Sequence, residues 1–129
     1  MTIFQKIING EIPAYKVYED DKTFAFLDIH PAMPGHTLVV PKNPIEFVWD
    51  LPTEDYQALL DVSKKIALHL RENLPQQFIH MSVVGVDVPH AHIHLIPFDQ
   101  PRDFHNPRRM QIEPDHDELA SMADKLRIQ

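Results

Sequence analysis

The 129-residue chain has no cysteine, only 3 glycines, and no apolar run approaching the roughly 18 residues that a membrane-spanning helix needs. Without cysteine there can be no disulfide staple, thiol nucleophile or thiolate zinc site. The opening Met1-Thr2-Ile3-Phe4-Gln5-Lys6 lacks the charged-then-apolar order of a signal peptide, so the cytoplasm is the expected compartment. Positive charge is also scarce, with 12 Lys+Arg against 19 Asp+Glu and a formal net charge of −7. That balance argues against broad nucleic-acid binding, and neither a nucleic acid nor a membrane is an expected partner. The length fits a single domain that can bury about two-thirds of its unfolded surface without cross-links.

What is abundant is proline, at 12, and histidine, at 9. Proline punctuates the chain into short elements. Ile3, Phe4, Ile7 and Ile8 share one side of a helical wheel, and Asn9-Gly10 ends that short helix. Strands are predicted over about 14–20, 23–28 and 36–41, the last closed by Pro41. A helix is predicted over 53–72, with Thr53 as its N-cap and a 3.6-residue apolar stripe through Leu59, Leu60, Ile66 and Leu70. Strands follow at 78–84 and 89–97. The stretch 99–113 reads as a solvated loop carrying Arg102, Arg108 and Arg109, and a last helix spans 117–125. The expected class is α+β, a mainly antiparallel sheet with helices on one face.

The segment Pro89-His90-Ala91-His92-Ile93-His94-Leu95-Ile96-Pro97 carries the chemistry. On a strand, alternate side chains share a face, so His90, His92 and His94 project together while Ala91, Ile93 and Leu95 point to a core. Three imidazoles at period two have no packing rationale. Two chemistries use such a row. One is metal binding, with a further ligand from elsewhere such as His36 or His80. The other is attack of a neutral imidazole on phosphorus, with flanking histidines orienting the nucleophile and moving protons. The spacing leaves both open. His30, His69, His80, His105 and His116 read as structural or solvated.

The motif His90-Ala91-His92-Ile93-His94-Leu95-Ile96 resembles the signature of the histidine triad (HIT) family. The blocks Ile3–Pro13, Phe24–Pro31 and Pro34–Lys42 are similar to that family's earlier segments, in the same order. The resemblance covers about residues 3–97 of one domain spanning 1–129 and leaves a loop and helix over 98–129 unmatched. It implies a five-stranded, mainly antiparallel sheet with flanking helices, usually a homodimer. It also implies a hydrolase or transferase acting at the α-phosphate of a nucleotide, with purine substrates favoured. By the same resemblance, His92 is the nucleophile, His94 touches phosphate, His90 orients the nucleophile, and His36 lies against the phosphate site. Asp28 would take the ribose hydroxyls, Phe26, Ile29 and Phe4 would wall the base pocket, and Gly85 would let the backbone approach the ligand.

The sequence departs from the family pattern twice. Thr2, Gln5 and Pro44 stand where many members carry zinc ligands, so no metal or other cofactor is expected. Before the triad, Val86 and Asp87 replace the amide and hydroxyl donors usual beside the phosphate. A carboxylate beside a phosphate is unfavourable unless it points away or meets a cation. The alternative to an enzyme is therefore a nucleotide-binding protein with little catalysis. A cupin-like metalloprotein would need a downstream carboxylate ligand and more than 3 glycines.

Overall fold

The computed structural model describes residues 1–128. Five strands, β1 (Lys16–Glu19), β2 (Thr23–Leu27), β3 (Thr37–Pro41), β4 (Phe78–Ser82) and β5 (Ile93–Phe98), form one antiparallel sheet in the order β1-β2-β3-β5-β4. The helices are α1 (Ile3–Ile8), α2 (Thr53–Asn73) and α3 (His116–Leu126). Among the described residues, no helix is long and apolar enough to cross a membrane.

Strand alternation divides the sheet into two buried faces. Ala25, Leu27, Val39, Ile93 and Leu95 point toward α2 and α3, where Leu59, Ile66, Leu70, Leu119 and Leu126 complete the main core. Phe24, Phe26, Leu38 and Val40 point the other way and are covered by Phe4, Ile7 and Ile8 of α1. Helices therefore lie on both faces, not on one as the sequence suggested. Every residue of β2 is buried, so both of its side-chain faces are covered.

Local boundaries also shift. Pro52, not Thr53, is the N-cap of α2, and no side chain caps that end. Thr53 already has helical geometry, and Glu54 and Asp55 supply the acidic first turn. The predicted strand at 89–97 starts only at Ile93, so His90 and His92 lie in irregular chain leading into β5. The stretch 99–113 contains short 3-10 turns at Pro101–Phe104 and Arg109–Gln111, the second of which bears directly on the site.

Candidate active site

The sheet places the triad opposite aromatic and aliphatic residues. Phe26 of β2 faces Leu38 of β3, which faces His94 of β5. Although only His94 is in regular strand, the alternation of the triad survives. Ala91, Ile93 and Leu95 enter the main core, while His90, His92 and His94 are buried on the other side. Period two thus places the three rings correctly even where hydrogen-bonded pairing has ended.

Each ring has distinct partners. His90 Nε2 donates to the carbonyl oxygen of Pro41 at 2.8 Å, leaving Nδ1 to accept from Thr2 Oγ1 at 3.2 Å. Thr2 also caps α1 through a reciprocal capping box with Gln5, so the first helix and the first triad histidine share one anchor. His92 Nδ1 donates to the main-chain oxygen of His90 at 2.7 Å. A carbonyl can only accept, so Nδ1 carries the proton and Nε2 of neutral His92 carries a lone pair. The aromatic ring of Phe4 packs edge-on to His92, with centroids 5.0 Å apart.

A second chain of contacts fixes His94. The amide of Ala32 donates to His36 Nδ1 at 3.0 Å, so neutral His36 keeps its proton on Nε2. That nitrogen lies 3.0 Å from His94 Nδ1, which accepts, leaving the proton of His94 on Nε2. His36 Nε2 also lies 3.6 Å from Asp28 Oδ2.

Burial keeps these rings neutral by disfavouring the charged form. It lowers the His36 pKa to about 3, against the opposing attraction of Asp28. It lowers His94 to about 4, helped by the neighbouring His92. Burial also lowers His92 and His90, partly offset by their backbone hydrogen bonds to His90 and Pro41.

His92 and His94 open into a cavity of about 300 Å3, whose walls include Phe4, Phe26, Asp28 and Ile29. These six residues, all singled out from sequence, are therefore brought together. His90 is fully buried behind the wall and reaches His92 through its main-chain oxygen. His36 lies behind His94 and borders a smaller adjoining cavity of about 160 Å3. Gly85 is not on the larger cavity's wall. Its φ of +73° explains why glycine stands there, and a Cβ would meet nothing within 4 Å. Of the two unusual residues before the triad, Val86 is 82% exposed, whereas Asp87 lies on the cavity wall.

Asp28 follows β2 directly and forms an Asx turn, its Oδ1 accepting from the His30 amide at 2.8 Å. Its Oδ2 accepts from Arg109 Nη1 at 3.0 Å, and the same Nη1 donates to the His30 main-chain oxygen at 2.6 Å. His30 Nδ1 in turn donates to the Ile112 oxygen at 3.0 Å. Arg109 is thus not a solvated loop residue, as the sequence suggested. The 3-10 turn Arg109–Gln111 packs against the chain after β2, and the arginine side chain is only 19% exposed. The sole sequence signal was a group of arginines shortly after the triad, which does not distinguish the bound one. Arg102 and Arg108 are exposed, as expected.

Asp28, His36 and His94 place ligand atoms within 4.8 Å of one another, a donor set that a divalent cation could use. The Arg109 guanidinium on Asp28 Oδ2 and the hydrogen bond between the two rings compete with that use.

A HIT domain family model matches residues 9–101. An adenosine 5′-monophosphoramidase of Candida albicans is 38% identical over 104 residues, covering 74% of this chain and 68% of that protein. An uncharacterized HIT-like protein of Borreliella burgdorferi is 41% identical over 102 residues, covering 74% of this chain and 73% of its own. Among solved structures, a Hit-like protein of Bartonella henselae superposes with a TM-score of 0.84 at 33% identity, covering 98% of this chain and 94% of that one.

Proposed function

Because this chain belongs to the HIT domain family, we propose that it is a nucleotide hydrolase that cleaves at the α-phosphate through a covalent nucleotidyl-histidine on His92. The observation that carries this reading is the hydrogen bond from His92 Nδ1 to the His90 oxygen, which leaves the Nε2 lone pair at the cavity. That lone pair attacks the α-phosphorus, and a bond forms between nitrogen and phosphorus. The bond from phosphorus to the leaving amine or phosphate breaks, and the leaving group departs with its electron pair, an amine taking up a proton from solvent water. Positive charge then builds on the His92 ring, and the His90 carbonyl is placed to stabilise it. His94, with its proton on Nε2, donates to a phosphoryl oxygen. Water next attacks phosphorus and loses a proton to solvent, the bond to His92 breaks with its electron pair returning to Nε2, and a nucleoside monophosphate is released.

The substrate class is a nucleoside phosphoramidate or a (di)nucleoside polyphosphate, with a purine against Phe4, Phe26 and Ile29 and the ribose at Asp28. The 38% identity to an adenosine 5′-monophosphoramidase supports the phosphoramidate. The second reading, a nucleotide binder with little turnover, draws support from Asp87 on the cavity wall. The proposed assembly is a homodimer, with Phe47 and Trp49 exposed ahead of α2; a monomer by light scattering at micromolar concentration would remove it.

The test is turnover of adenosine 5′-monophosphoramidate by the wild-type protein and by His92→Ala. Release of the monophosphate by the first alone, with a phosphorus–histidine adduct trapped by rapid acid quench, supports covalent catalysis. Monophosphate binding without release by the wild-type protein favours the second reading.

A further inference from the structure

The Asp28 carboxylate is partly occupied before any ligand arrives. An ionised carboxylate offers roughly four acceptor positions, about two on each oxygen. The His30 amide takes one on Oδ1 and Arg109 Nη1 takes one on Oδ2. One position on each oxygen is left, which suits a vicinal diol. Arg109 spends both Nη1 protons on Asp28 and the His30 oxygen, and among the described residues it is the only lysine or arginine on the cavity wall. It comes from the turn after the triad, beyond residue 101, where the family match ends. A second tie, His30 Nδ1 to the Ile112 oxygen, holds that turn against the Asx turn of Asp28.

We propose that Arg109 is a positioning residue for the sugar: it fixes the Asp28 carboxylate in one rotamer with two acceptor positions facing the cavity, and so makes the site select a ribose over a deoxyribose. The inference rests on the assignment of Asp28 to the ribose under the proposed function, and not on the covalent step. The segment around Arg109 is then part of the nucleotide site. The guanidinium acts through the carboxylate it holds, and a cation with two protons directed at Oδ2 and the His30 oxygen is what the position requires. Both bonds come from the single nitrogen Nη1, so lysine keeps the charge and enough N–H donors but loses the reach and planar geometry of the guanidinium.

The test measures binding of adenosine monophosphate and its 2′-deoxy and 3′-deoxy analogues by calorimetry, in wild type, Arg109→Gln, Arg109→Lys and the exposed neighbour Arg108→Ala. Turnover of the corresponding phosphoramidates is measured alongside. The wild-type protein is expected to prefer the ribonucleotide by about tenfold or more, the scale of a hydrogen bond to a charged group. Arg109→Gln should weaken ribonucleotide binding by about tenfold to a hundredfold and deoxynucleotide binding much less, collapsing the preference. Arg109→Lys should restore part of it, and Arg108→Ala should leave it intact. A parallel loss for ribo- and deoxynucleotides in Arg109→Gln, or a preference that survives in it, overturns the inference. So does a wild-type protein that does not discriminate. If Arg109→Gln does not fold, Arg109→Met, which also removes the charge and both donors, decides: a ribose preference equal to wild type overturns the inference. Failure of wild-type turnover would refute the catalytic reading while leaving the binding ratios to judge this one.

Discussion

His36 Nε2 lies 3.0 Å from His94 Nδ1, and the Ala32 amide behind His36 sets the direction of that bond. The proton on His94 is therefore held on the nitrogen away from His36, the one proposed to donate to a phosphoryl oxygen. Replacing His36 with alanine leaves a buried acceptor on His94 without a donor. The turnover number should fall about tenfold to a hundredfold, on the scale of an unsatisfied buried polar group, with little change in monophosphate binding. Steady-state kinetics beside calorimetry check this, and an unchanged turnover number would mean that the ring pair does not set the tautomer.

The buried histidines give a signed pH dependence. Free histidine titrates near 6.5, whereas His36 is lowered to about 3 and His94 to about 4 in the fold. Below about pH 6.5 the unfolded chain takes up protons that the folded chain refuses. Their contribution to stability is therefore complete above that pH and is lost as pH falls toward the folded values. Thermal melts should fall steadily between about pH 6.5 and 4, and His36→Asn should show a shallower slope. The lowered His92 makes a matching kinetic prediction. Its lone pair persists below the ordinary histidine pKa, so the acid limb of kcat/KM, on a substrate with a non-titrating leaving group, should lie below the free histidine value. An inflection at the free histidine value would contradict it.

Thr2 joins the cap of α1 to the His90 ring. Thr2→Val removes both hydrogen bonds with little change in volume. Urea unfolding should show a loss of about 1–2 kcal/mol, the scale of one cap and one further hydrogen bond. Thr2→Ser should remain within about 0.5 kcal/mol of wild type, because its hydroxyl can make both. An unchanged stability in Thr2→Val would mean that neither hydroxyl bond contributes to the fold.

Chelation distinguishes imidazole chemistry from metal chemistry. With Arg109 on Asp28 Oδ2 and His36 bonded to His94, dialysis against EDTA should leave turnover unchanged. A loss that added zinc restores would instead assign a metal to Asp28, His36 and His94.

The parts of the molecule legible in the sequence are those written as periodicity. The triad, the apolar alternates Ala91, Ile93 and Leu95, the stripe of α2 and the approximate positions of the strands were all readable because side-chain direction follows the local backbone. The partnership of Arg109 with Asp28 was not, since it joins residues 81 apart through a turn that no pattern marks. The N-cap of α2 was misplaced by one residue because threonine is a good cap in general, whereas here Pro52 supplies the extended conformation without a side-chain bond. The two-sided burial of the sheet was missed because a short α1 of six residues gave little sign that it would cover a face.

The bond between Thr2 and His90 spans 88 positions of the chain. The site therefore draws one support from the six-residue helix α1, while the proposed nucleophile His92 sits just before a central strand, and so short a helix opens at little cost. Fraying of a single helical turn would uncover the first triad ring and remove Phe4 from beside His92 without disturbing the main core. Chemistry and global folding can thus be lost separately in this molecule, and under gradual destabilisation catalysis should disappear while the far-side helices remain protected from hydrogen exchange.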